Sequence, residues 1–423
     1  MSKDLFKQLA KKYATPLYVY DFDNITKNVL EFKEAFRARK SLICYAMKAN
    51  SNLSLLNHLS KLDCGADCVS INEVKRALKA GIKKYKIIYS GVGKSNSDIK
   101  EAIESDILFI NIESIEELLR VEMIAKELNK EVRISIRVNP NIDAKTHPYI
   151  STGLKENKFG VSIENAKKMY IYAFNSPHLC PIAIHFHIGS QLLDLEPIVS
   201  SSKKIVELIW GLLALKIDLK FIDIGGGLGI EYSSNDKIID LYSYAQGILS
   251  TLSGLNLTII CEPGRRIVGN EGYLVSSVLY EKQNEYKRFC IIDAAMNDLI
   301  RPSLYNAKHN IEYIKQDSSN VLEIPALFND TIPTKEMADI VGPICESGDY
   351  LAKDVKLPKT NSGDLIVIKS AGAYGFSMSS NYNSRLKCAE VALVNGEDKL
   401  IRRREEFSDL IDNEVEFLDS LDS

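Results

Sequence analysis

The sequence predicts a (β/α)8 barrel of the TIM type followed by an all-β domain. Between residues 42 and 262, eight apolar, strand-like runs alternate with segments of helical periodicity, which is the pattern of such a barrel. Beyond residue 270 the helical periodicity fades, and short β-rich runs separated by turn residues replace it. A doubly wound open sheet is the alternative, because a miscount of one or two strands would change the architecture.

Length and composition indicate a globular protein with two domains. A chain of 423 residues exceeds one ordinary core, and 45% of it is hydrophobic and 26% charged. The net charge of −3 gives no electrostatic footprint for nucleic acid, and we expect neither a signal peptide nor a membrane span. The closest cysteine pair, Cys64 and Cys68, fits neither a zinc nor a redox motif, so we expect reduced thiols in the cytoplasm.

Taken in order, the elements begin with a helix over residues 3–13 and an exposed strand over 17–20. From Asn24 a further helix leads into the first barrel strand. The barrel strands are expected at 42–48, 64–69, 86–90, 107–112, 132–138, 182–188, 219–224 and 257–262. The helical patterns between them cover 53–62, 73–81, 98–104, 115–128, 164–174, 197–215 and 241–252.

The region after the barrel has the texture of a β-sandwich or a small β-barrel. Its β-rich runs are expected at 273–280, 289–292, 339–341, 365–369 and 389–394. The early strand 17–20 can join this domain. The predicted boundaries are therefore 27–270 for the barrel and 271–423 for the β-domain, with an N-terminal strand contributed by 1–26.

The most unusual polar and glycine-rich clusters all lie where predicted barrel strands end. Lys48 ends the first strand, His187 to Ser190 end the sixth, Gly225–Gly227 end the seventh, and Glu262 to Arg265 end the eighth. Barrel enzymes carry their chemistry at the carboxyl ends of the strands. The clusters therefore predict one active site on one rim.

Lys48 closes a buried strand, where an ammonium group is costly to desolvate unless it is paired or its pKa falls. A lysine of that kind is a ready amine for a Schiff base. Taken alone, a strand-end lysine whose ammonium reaches water is the simpler interpretation. The other rim clusters favour the reactive amine.

The triple glycine Gly225–Gly227 predicts an anion cradle suited to phosphate, because bare backbone amides follow a strand there. The alternative is a tight turn that needs positive φ. The run does not match a dinucleotide fingerprint, since Ile230 occupies the third glycine position. Gly93-Lys94-Ser95 imitates the end of a P-loop, but the full motif would need a glycine at Ile88.

His185 and His187 face the same side of their strand. No set of further ligands with metal-site spacing accompanies them in the sequence, so we expect no metal. We expect His187 to pack against a ligand ring and His185 to be satisfied in the core. Glu262 beside Arg265 would alone indicate a structural ion pair. Together, an amine, a phosphate cradle and a carboxylate on one rim predict pyridoxal 5′-phosphate, with the carboxylate at its pyridine nitrogen.

These motifs resemble the fold-type III pyridoxal-phosphate decarboxylases, which join an alanine-racemase-like barrel to a C-terminal β-domain. The shared motifs are Tyr45–Asn50, His185–Gln191, Gly225–Gly227 and Glu262–Arg265. Others resemble the diaminopimelate decarboxylase branch of that family: Met296–Tyr305, Gly342–Asp349, Ala371–Gly375, Tyr382–Arg385, and a loop with Thr146–Gly153 and Lys158–Gly160. Ala295 and Asn72 depart from the family, which usually has glycine at both positions.

The resemblance implies decarboxylation of meso-2,6-diaminopimelate to L-lysine and carbon dioxide, the last step of lysine biosynthesis. Lys48 would hold the cofactor and yield it to the substrate amine, and Cys345 of the neighbouring subunit in a homodimer would return a proton to the product. The implied cofactor ligands are Lys48, His187, Ser190, Gly225, Gly226, Gly227, Glu262, Gly264, Arg265 and Tyr374. The implied substrate ligands are Arg265, Arg301, Tyr305, Glu346 and Tyr374.

Two other classes share part of the pattern. An alanine racemase resembles the barrel but places an arginine at the pyridine nitrogen, where this chain has Glu262. A non-catalytic pyridoxal-phosphate carrier resembles the barrel alone and lacks the β-domain expected here after residue 270.

Overall fold

The computed structural model describes residues 1–143, 158–233, 236–316 and 335–418; the family-like loop motif Thr146–Gly153 lies outside these ranges. The chain forms two compact units. One comprises Met1–Asp23, Tyr232–Ser234 and Val268–Ser423, and the other comprises Asn24–Glu231 and Asn235–Ile267. Among the described helices, none combines the length and apolar character needed to cross a membrane.

The second unit is a closed, eight-stranded parallel barrel. The chain begins with helix α1 (Lys3–Tyr13), strand β1 (Leu17–Asp21) and helix α2 (Phe22–Ala35). The barrel strands that follow are β2 (Ser41–Ala46), β3 (Gly65–Cys68), β4 (Ile87–Tyr89), β5 (Phe109–Ile112), β6 (Val132–Arg137), β7 (Leu179–His185), β8 (Phe221–Asp223) and β9 (Thr258–Cys261). Strand β2 pairs with β9 and closes the ring, which excludes the open-sheet alternative. The predicted (β/α)8 barrel is confirmed, and each strand overlaps its predicted range. Strand β7 begins and ends three residues earlier than expected and β2 ends two residues earlier, so His187 and Lys48 follow their strands instead of closing them.

Helices connect successive barrel strands, and polar caps mark where most of them begin. They are α3 (Leu53–Lys61), α4 (Ile71–Lys79), α5 (Asn96–Glu104), α6 (Ile115–Glu127), α7 (Ile163–Asn175), α8 (Glu196–Ala214) and α9 (Leu241–Thr251). Ser70, Ser95, Ser114 and Ser162 each accept a backbone N–H of the first turn, which satisfies a donor that the helix itself cannot pair. These caps fix where each helix leaves the rim.

The barrel interior contains an apolar cluster of Cys44, Ile88, Leu108, Phe109, Ala183 and Ile260. Polar side chains take over where the strands end, at Asp67, His185 and Asp223, and all three are buried. A filled apolar layer below a polar layer is the usual design of a barrel enzyme. It places the chemistry at the carboxyl ends of the strands, as the sequence predicts.

The first unit contains a nine-stranded, mostly antiparallel sheet. Its later strands are β10 (Gly272–Gln283), β11 (Arg288–Ile292), β12 (Ile311–Ile314), β13 (Met337–Val341), β14 (Tyr350–Lys356), β15 (Leu365–Ile368), β16 (Ala389–Val394) and β17 (Glu397–Arg402). The remaining helices are α10 (Arg265–Val268), α11 (Arg301–Tyr305) and α12 (Phe407–Ile411). The sheet order is β14-β13-β11-β10-β1-β16-β17, with β15 joining β10 to β12. The predicted all-β domain is thereby confirmed.

Strand β1 corrects one prediction. We expected residues 17–20 to form an exposed strand, but all four are buried, and β1 pairs with β10 on one side and β16 on the other. Leu17 and Val19 pack into an apolar cluster on one face, and Tyr18 on the other face contacts the rings of Tyr20 and Phe376. Its alternation of apolar and aromatic residues therefore reflects a central strand with both faces covered. The proposed membership of β1 in the β-sheet is correct.

Candidate active site

Lys48 lies in a short 3-10 turn, Met47–Ala49, immediately after β2. Its ammonium is 2.8 Å from the Asp67 Oδ2 atom at the end of β3, and the side chain is 39% exposed, whereas Asp67 is fully buried. Both residues line a cavity of about 400 Å³ with Arg137, His185, His187 and Glu262. The lysine that ends the first barrel strand is thus held by a buried carboxylate and still reaches open space.

Glu262 follows β9 and points a buried carboxylate at the same cavity. Its Oε2 atom lies 3.4 Å from His185 Nε2, and its Oε1 atom has no hydrogen-bond partner among the described residues. Burial raises the pKa of Glu262, but the attraction of His185 and then of Lys48 outweighs burial and holds that pKa well below its usual range. The site therefore contains one ionised carboxylate with an oxygen available to a ligand.

Two further carboxyl groups behave in the opposite way. Burial, followed by repulsion from Glu262, raises the pKa of Asp67 and raises that of Asp223 far more. The Oδ1 atom of Asp223 accepts the N–H of Gly225 at 2.9 Å. Neither residue was predicted as a site residue, and His185 was expected to be satisfied in the core.

His187 is held as a neutral ring. Its Nδ1 atom accepts the backbone N–H of Gly226 at 3.2 Å, which leaves Nε2 to carry the proton. Burial lowers the pKa of His187 well below its usual value, and the positive charges of Arg137 and Lys48 lower it further. A neutral imidazole at the rim is suited to the ring-packing role predicted for His187.

Residues 226 and 227 of the triple glycine are glycines because neighbouring backbone atoms leave no room for a side chain. A Cβ atom on Gly226 would lie 2.0 Å from the carbonyl oxygen of Glu262, and one on Gly227 would lie 2.1 Å from that of Gly189. The N–H groups of Gly225 and Gly226 already donate to Asp223 and His187. Of the three amides predicted to cradle phosphate, that of Gly227 is therefore the best candidate.

Arg265 begins α10, and its guanidinium donates to the Ser190 hydroxyl across 2.8 Å. Gly264, just before it, packs against the Ala46 side chain, where a Cβ would come within 3.0 Å of its neighbour. These contacts bring together residues from the loops after β7 and β9. Ser190, Gly264 and Arg265 thus occupy one part of the rim, as their predicted cofactor role requires.

A second buried ion pair on the rim was not anticipated. Arg137, at the end of β6, lies 3.1 Å from Glu113, and its guanidinium stacks over Phe159 at 4.7 Å. Glu113 also accepts the N–H groups of Gly91 and Gly160. The carboxylate satisfies several donors, and the arginine is thereby fixed on the cavity wall.

The predicted substrate residues of the β-unit include a buried arginine among aromatic rings. Arg301 begins α11 and is largely buried. Its guanidinium carbon lies 5.3 Å from the ring centre of Tyr232 and 5.7 Å from that of Tyr305. Tyr232 was not predicted. A stacked, desolvated guanidinium is suited to binding a carboxylate.

Cys345 and Glu346 lie on an exposed loop of the β-unit. The backbone N–H of Cys345 donates to Asn383 at 3.3 Å, and a hydrogen bond to Glu346 raises the pKa of Tyr382. Buried Asp349 fixes this loop by accepting the N–H groups of Met296 and Ile344. The carboxylate therefore ties together two of the motifs noted in the sequence.

Tyr374 has a left-handed backbone conformation, with φ at +57°. That region is unfavourable for a bulky side chain and recurs at functional sites. The conformation is compatible with the ligand-binding role predicted for this tyrosine.

Comparisons with known proteins decide the family. A model described as "Pyridoxal-dependent decarboxylase, pyridoxal binding domain" matches residues 22–269. A relative from Campylobacter jejuni named diaminopimelate decarboxylase is 58% identical, over 98% of this chain and 99% of its own length. The chain belongs to the diaminopimelate decarboxylase family. It is a carboxy-lyase, and its cofactor is pyridoxal 5′-phosphate.

Solved structures of this family agree with the fold. The diaminopimelate decarboxylase from Helicobacter pylori, solved with L-lysine, matches with a TM-score of 0.91 and 54% identity, covering 98% of this chain and all of that one. The enzyme of M. jannaschii, also in complex with L-lysine, gives 0.87 and 35%, with 96% and 93% covered.

The rim of this family member fits the cofactor. The Glu262 Oε1 atom is buried and has no described partner, as expected of an acceptor reserved for a ring nitrogen. The Lys48 amine reaches the same cavity, and the neutral ring of His187 lines it. The predicted absence of a metal stays a prediction, since His185, Asp223 and Glu262 place ligand-type atoms within 4.8 Å of one another.

Proposed function

We propose that the protein decarboxylates meso-2,6-diaminopimelate to L-lysine and carbon dioxide, the last step of lysine biosynthesis. The observation that carries this proposal is the rim that combines the Lys48 amine, paired with Asp67 at 2.8 Å, and the ionised Glu262. The near-complete coverage at 58% identity by a relative of that name supports the choice of substrate.

The chain's own residues prepare the cofactor site. Lys48 would supply the amine that holds the cofactor, and Asp67 would orient that amine. Glu262 would accept a hydrogen bond from the protonated ring nitrogen, and the neutral imidazole of His187 would pack on the ring. When bound, pyridoxal 5′-phosphate supplies a sink for the electrons left by the departing carbon dioxide. Gly227, Ser190 and the loop from Gly264 would hold the phosphate.

Substrate selection follows from charge. The distal end of diaminopimelate carries both an ammonium and a carboxylate, so its binding site needs both signs of charge. Arg301 and Arg265 offer guanidinium forks for carboxylates, and Glu346 offers a partner for the ammonium. Ornithine or arginine would need an acidic partner alone at that end.

The proton returned to the product comes from Cys345 of the second subunit of a homodimer. A thiol is a suitable acid because its surroundings can move its pKa into the working range. In the single chain the Cys345 and Glu346 side chains are exposed, which supports a segment that reaches a neighbouring copy. Such a dimer has two shared active sites, and we place it in the cytoplasm.

A substrate panel tests the proposed function. Carbon dioxide release is measured with diaminopimelate, ornithine, arginine, lysine and alanine, for the native enzyme and for Arg301→Ala. We expect release from diaminopimelate, with kcat/KM reduced about 10- to 100-fold in the variant, the value of a lost charged hydrogen bond, and cofactor affinity changed less than about 3-fold. Faster release from another amino acid, or equal loss of cofactor affinity, would contradict the proposal.

A further inference from the structure

Three buried side chains meet where successive barrel strands end. His185 ends β7, Asp223 ends β8, and Glu262 follows β9. Their exposed fractions are 1%, 0% and 5%, and their ligand-type atoms all lie within 4.8 Å of one another. The proposed function uses Glu262 alone. His185 and Asp223 are buried titratable groups that it does not explain.

The charges that face this cluster come from several elements. Lys48 after β2 pairs with Asp67 on β3, and the ring of His187 lies in the loop after β7. The thiols of Cys44 on β2 and Cys261 on β9 are close enough that Glu262 and Asp223 raise their pKa, after the larger effect of burial. These thiols therefore carry no charge. The charges that act on the cluster come from the carboxyl groups, His185 and Lys48.

Three carboxyl groups in one buried site cannot all ionise cheaply, because like charges at low dielectric repel strongly. Asp67 has the Lys48 ammonium at 2.8 Å, and Glu262 has His185 at 3.4 Å. In the described part of the chain, Asp223 has no ion-pair partner and accepts the N–H of Gly225 instead. Asp223 is therefore the member of the trio for which a retained proton is the cheapest state.

We propose that His185 and Asp223 are positioning residues that hold Glu262 as the ionised acceptor for the ring nitrogen of the cofactor. His185 faces Glu262 from one side, with its Nε2 atom 3.4 Å from Oε2, and lowers the pKa of that carboxyl group. Asp223, whose Oδ1 atom accepts the N–H of Gly225, keeps its proton and so adds no second negative charge beside Glu262. This proposal rests on the role that the proposed function gives to Glu262, and it requires no further chemistry from either residue.

The directions of the pKa shifts agree with this division of labour. His185 is the largest influence that lowers the pKa of Glu262, whereas burial and the charge of Glu262 raise that of Asp223. Groups that orient a ligand-binding side chain from behind commonly contribute 10- to 100-fold to affinity. A comparable effect on cofactor affinity is expected here.

Equilibrium binding of pyridoxal 5′-phosphate to the full-length apoprotein, followed by absorbance between pH 6 and pH 8.5, tests the proposal without using substrate. His185→Leu removes the imidazole that faces Glu262. We expect the ratio of its Kd to that of the native protein to be about 3-fold at the upper pH and above 10-fold at pH 6, because Glu262 then takes up a proton. His185→Gln, whose amide can reach the Nε2 position, is expected to restore part of the affinity.

Asp223→Asn provides the second arm, since an amide reproduces a protonated carboxyl group in shape. Its side-chain oxygen can still accept the N–H of Gly225 and, like a protonated carboxyl group, the amide carries no charge, so its Kd is expected within about 3-fold of the native value at every pH. His58→Leu is the matched control, because His58 bonds Thr26 Oγ1 on the outer helices, away from the rim.

Three results would overturn the proposal. One is a ratio of the His185→Leu Kd to the native Kd that does not vary with pH, which would show that His185 only packs in the site. Another is an Asp223→Asn loss as large as that of His185→Leu, which marks an ionised Asp223. The third is Zn²⁺ binding to the apoprotein in competition with the cofactor, which marks a metal site. Since no arm uses an amino-acid substrate, failure of the substrate panel would leave these results interpretable.

Discussion

At the residue scale, the molecule depends on a few buried acids whose surroundings give them different charge states. On the barrel rim, the pKa of Glu262 is lowered whereas that of Asp223 is raised, although both are buried. The difference arises from neighbours, since His185 lies beside Glu262. The β-unit contains a similar case in Asp298, where burial raises the pKa to about 6 and the Ala295 N–H, the next cause, lowers it. Local electrostatics, not residue type, decides which acid carries charge.

Asp298 gives the protein a measurable pH dependence. The pKa of Asp298 is about 6 in the folded protein and ordinarily 3.8, so the folded state binds the proton more tightly than the unfolded state. Proton binding therefore stabilises the fold fully below pH 3.8, and this stabilisation is lost as the pH rises through 6. The loss is about 3 kcal/mol in the free energy of unfolding. Asp298→Asn should abolish this pH-dependent loss. The free energy of unfolding of the variant, measured with urea, should therefore rise relative to that of the native protein between pH 4 and pH 7.

Asp409→Asn is the control for that experiment. Asp409 lies in α12 and accepts a hydrogen bond from Arg403. This bond lowers the pKa of Asp409 to about 2, so the group does not titrate between pH 4 and pH 7. An Asp298→Asn protein whose stability followed the native pH profile would show that Asp298 is not the group responsible.

At the element scale, close backbone contacts determine the conformation of the loop after β8. Gly226 has no room for a side chain, because the backbone of Glu262 lies against it. The same approach places the carbonyl of Gly225 in a hydrogen bond with the Glu262 N–H. The loop thus holds the β9 end, and with it the acidic group of the site, in register.

Gly226→Ala should therefore impair both stability and cofactor binding. Its Cβ would lie 2.0 Å from a backbone oxygen, so the Glu262 segment must shift. We expect a loss of about 1–3 kcal/mol in the free energy of unfolding, the usual cost of overpacking, and at least a tenfold loss of cofactor affinity.

Gly211→Ala is the matched substitution, within helix α8, where a new Cβ meets nothing within 4 Å. It should stabilise the protein by about 0.5–1 kcal/mol through helix propensity. Thermal unfolding and cofactor titration of both variants provide the check. Equal behaviour of the two would contradict the close-contact explanation.

At the scale of the whole molecule, the proposed homodimer makes a sharp prediction. If Cys345 of one subunit serves the Lys48 of the other, a heterodimer of Lys48→Ala with Cys345→Ala contains one intact site and one doubly defective site. Random reassociation of the two inactive proteins in equal amounts should then restore roughly a quarter of native activity, because half of the dimers are heterodimers.

The control mixes Lys48→Ala with Glu262→Gln, two changes in the same barrel unit. Both substitutions affect the part of a shared site that the barrel unit supplies. Each site in the heterodimer therefore contains one defect, and no activity should return. Carbon dioxide release after dilution from mild denaturant measures both mixtures. Equal recovery in both, or none in either, would argue against shared sites.

The sequence predicted the architecture well because the barrel strands are short apolar runs between capped helices, a local signal. It missed strands β12, β14 and β17, which are partly exposed, and β17 is mostly charged. It singled out Lys48, His187 and Glu262, which lie just after strand ends. Their neighbours on the rim, Asp67, Arg137, His185 and Asp223, come from different strands, and this proximity becomes apparent only when the barrel closes.

The account depends above all on Lys48 as the residue that holds the cofactor. Borohydride reduction of the cofactor-loaded protein, followed by proteolysis and peptide mapping, reads this directly. We predict a pyridoxyl group on Lys48 in the peptide that follows β2, and its absence from Lys48→Ala. An unmodified Lys48 in protein that retains bound cofactor, or a label on another lysine such as Lys94, would contradict the account.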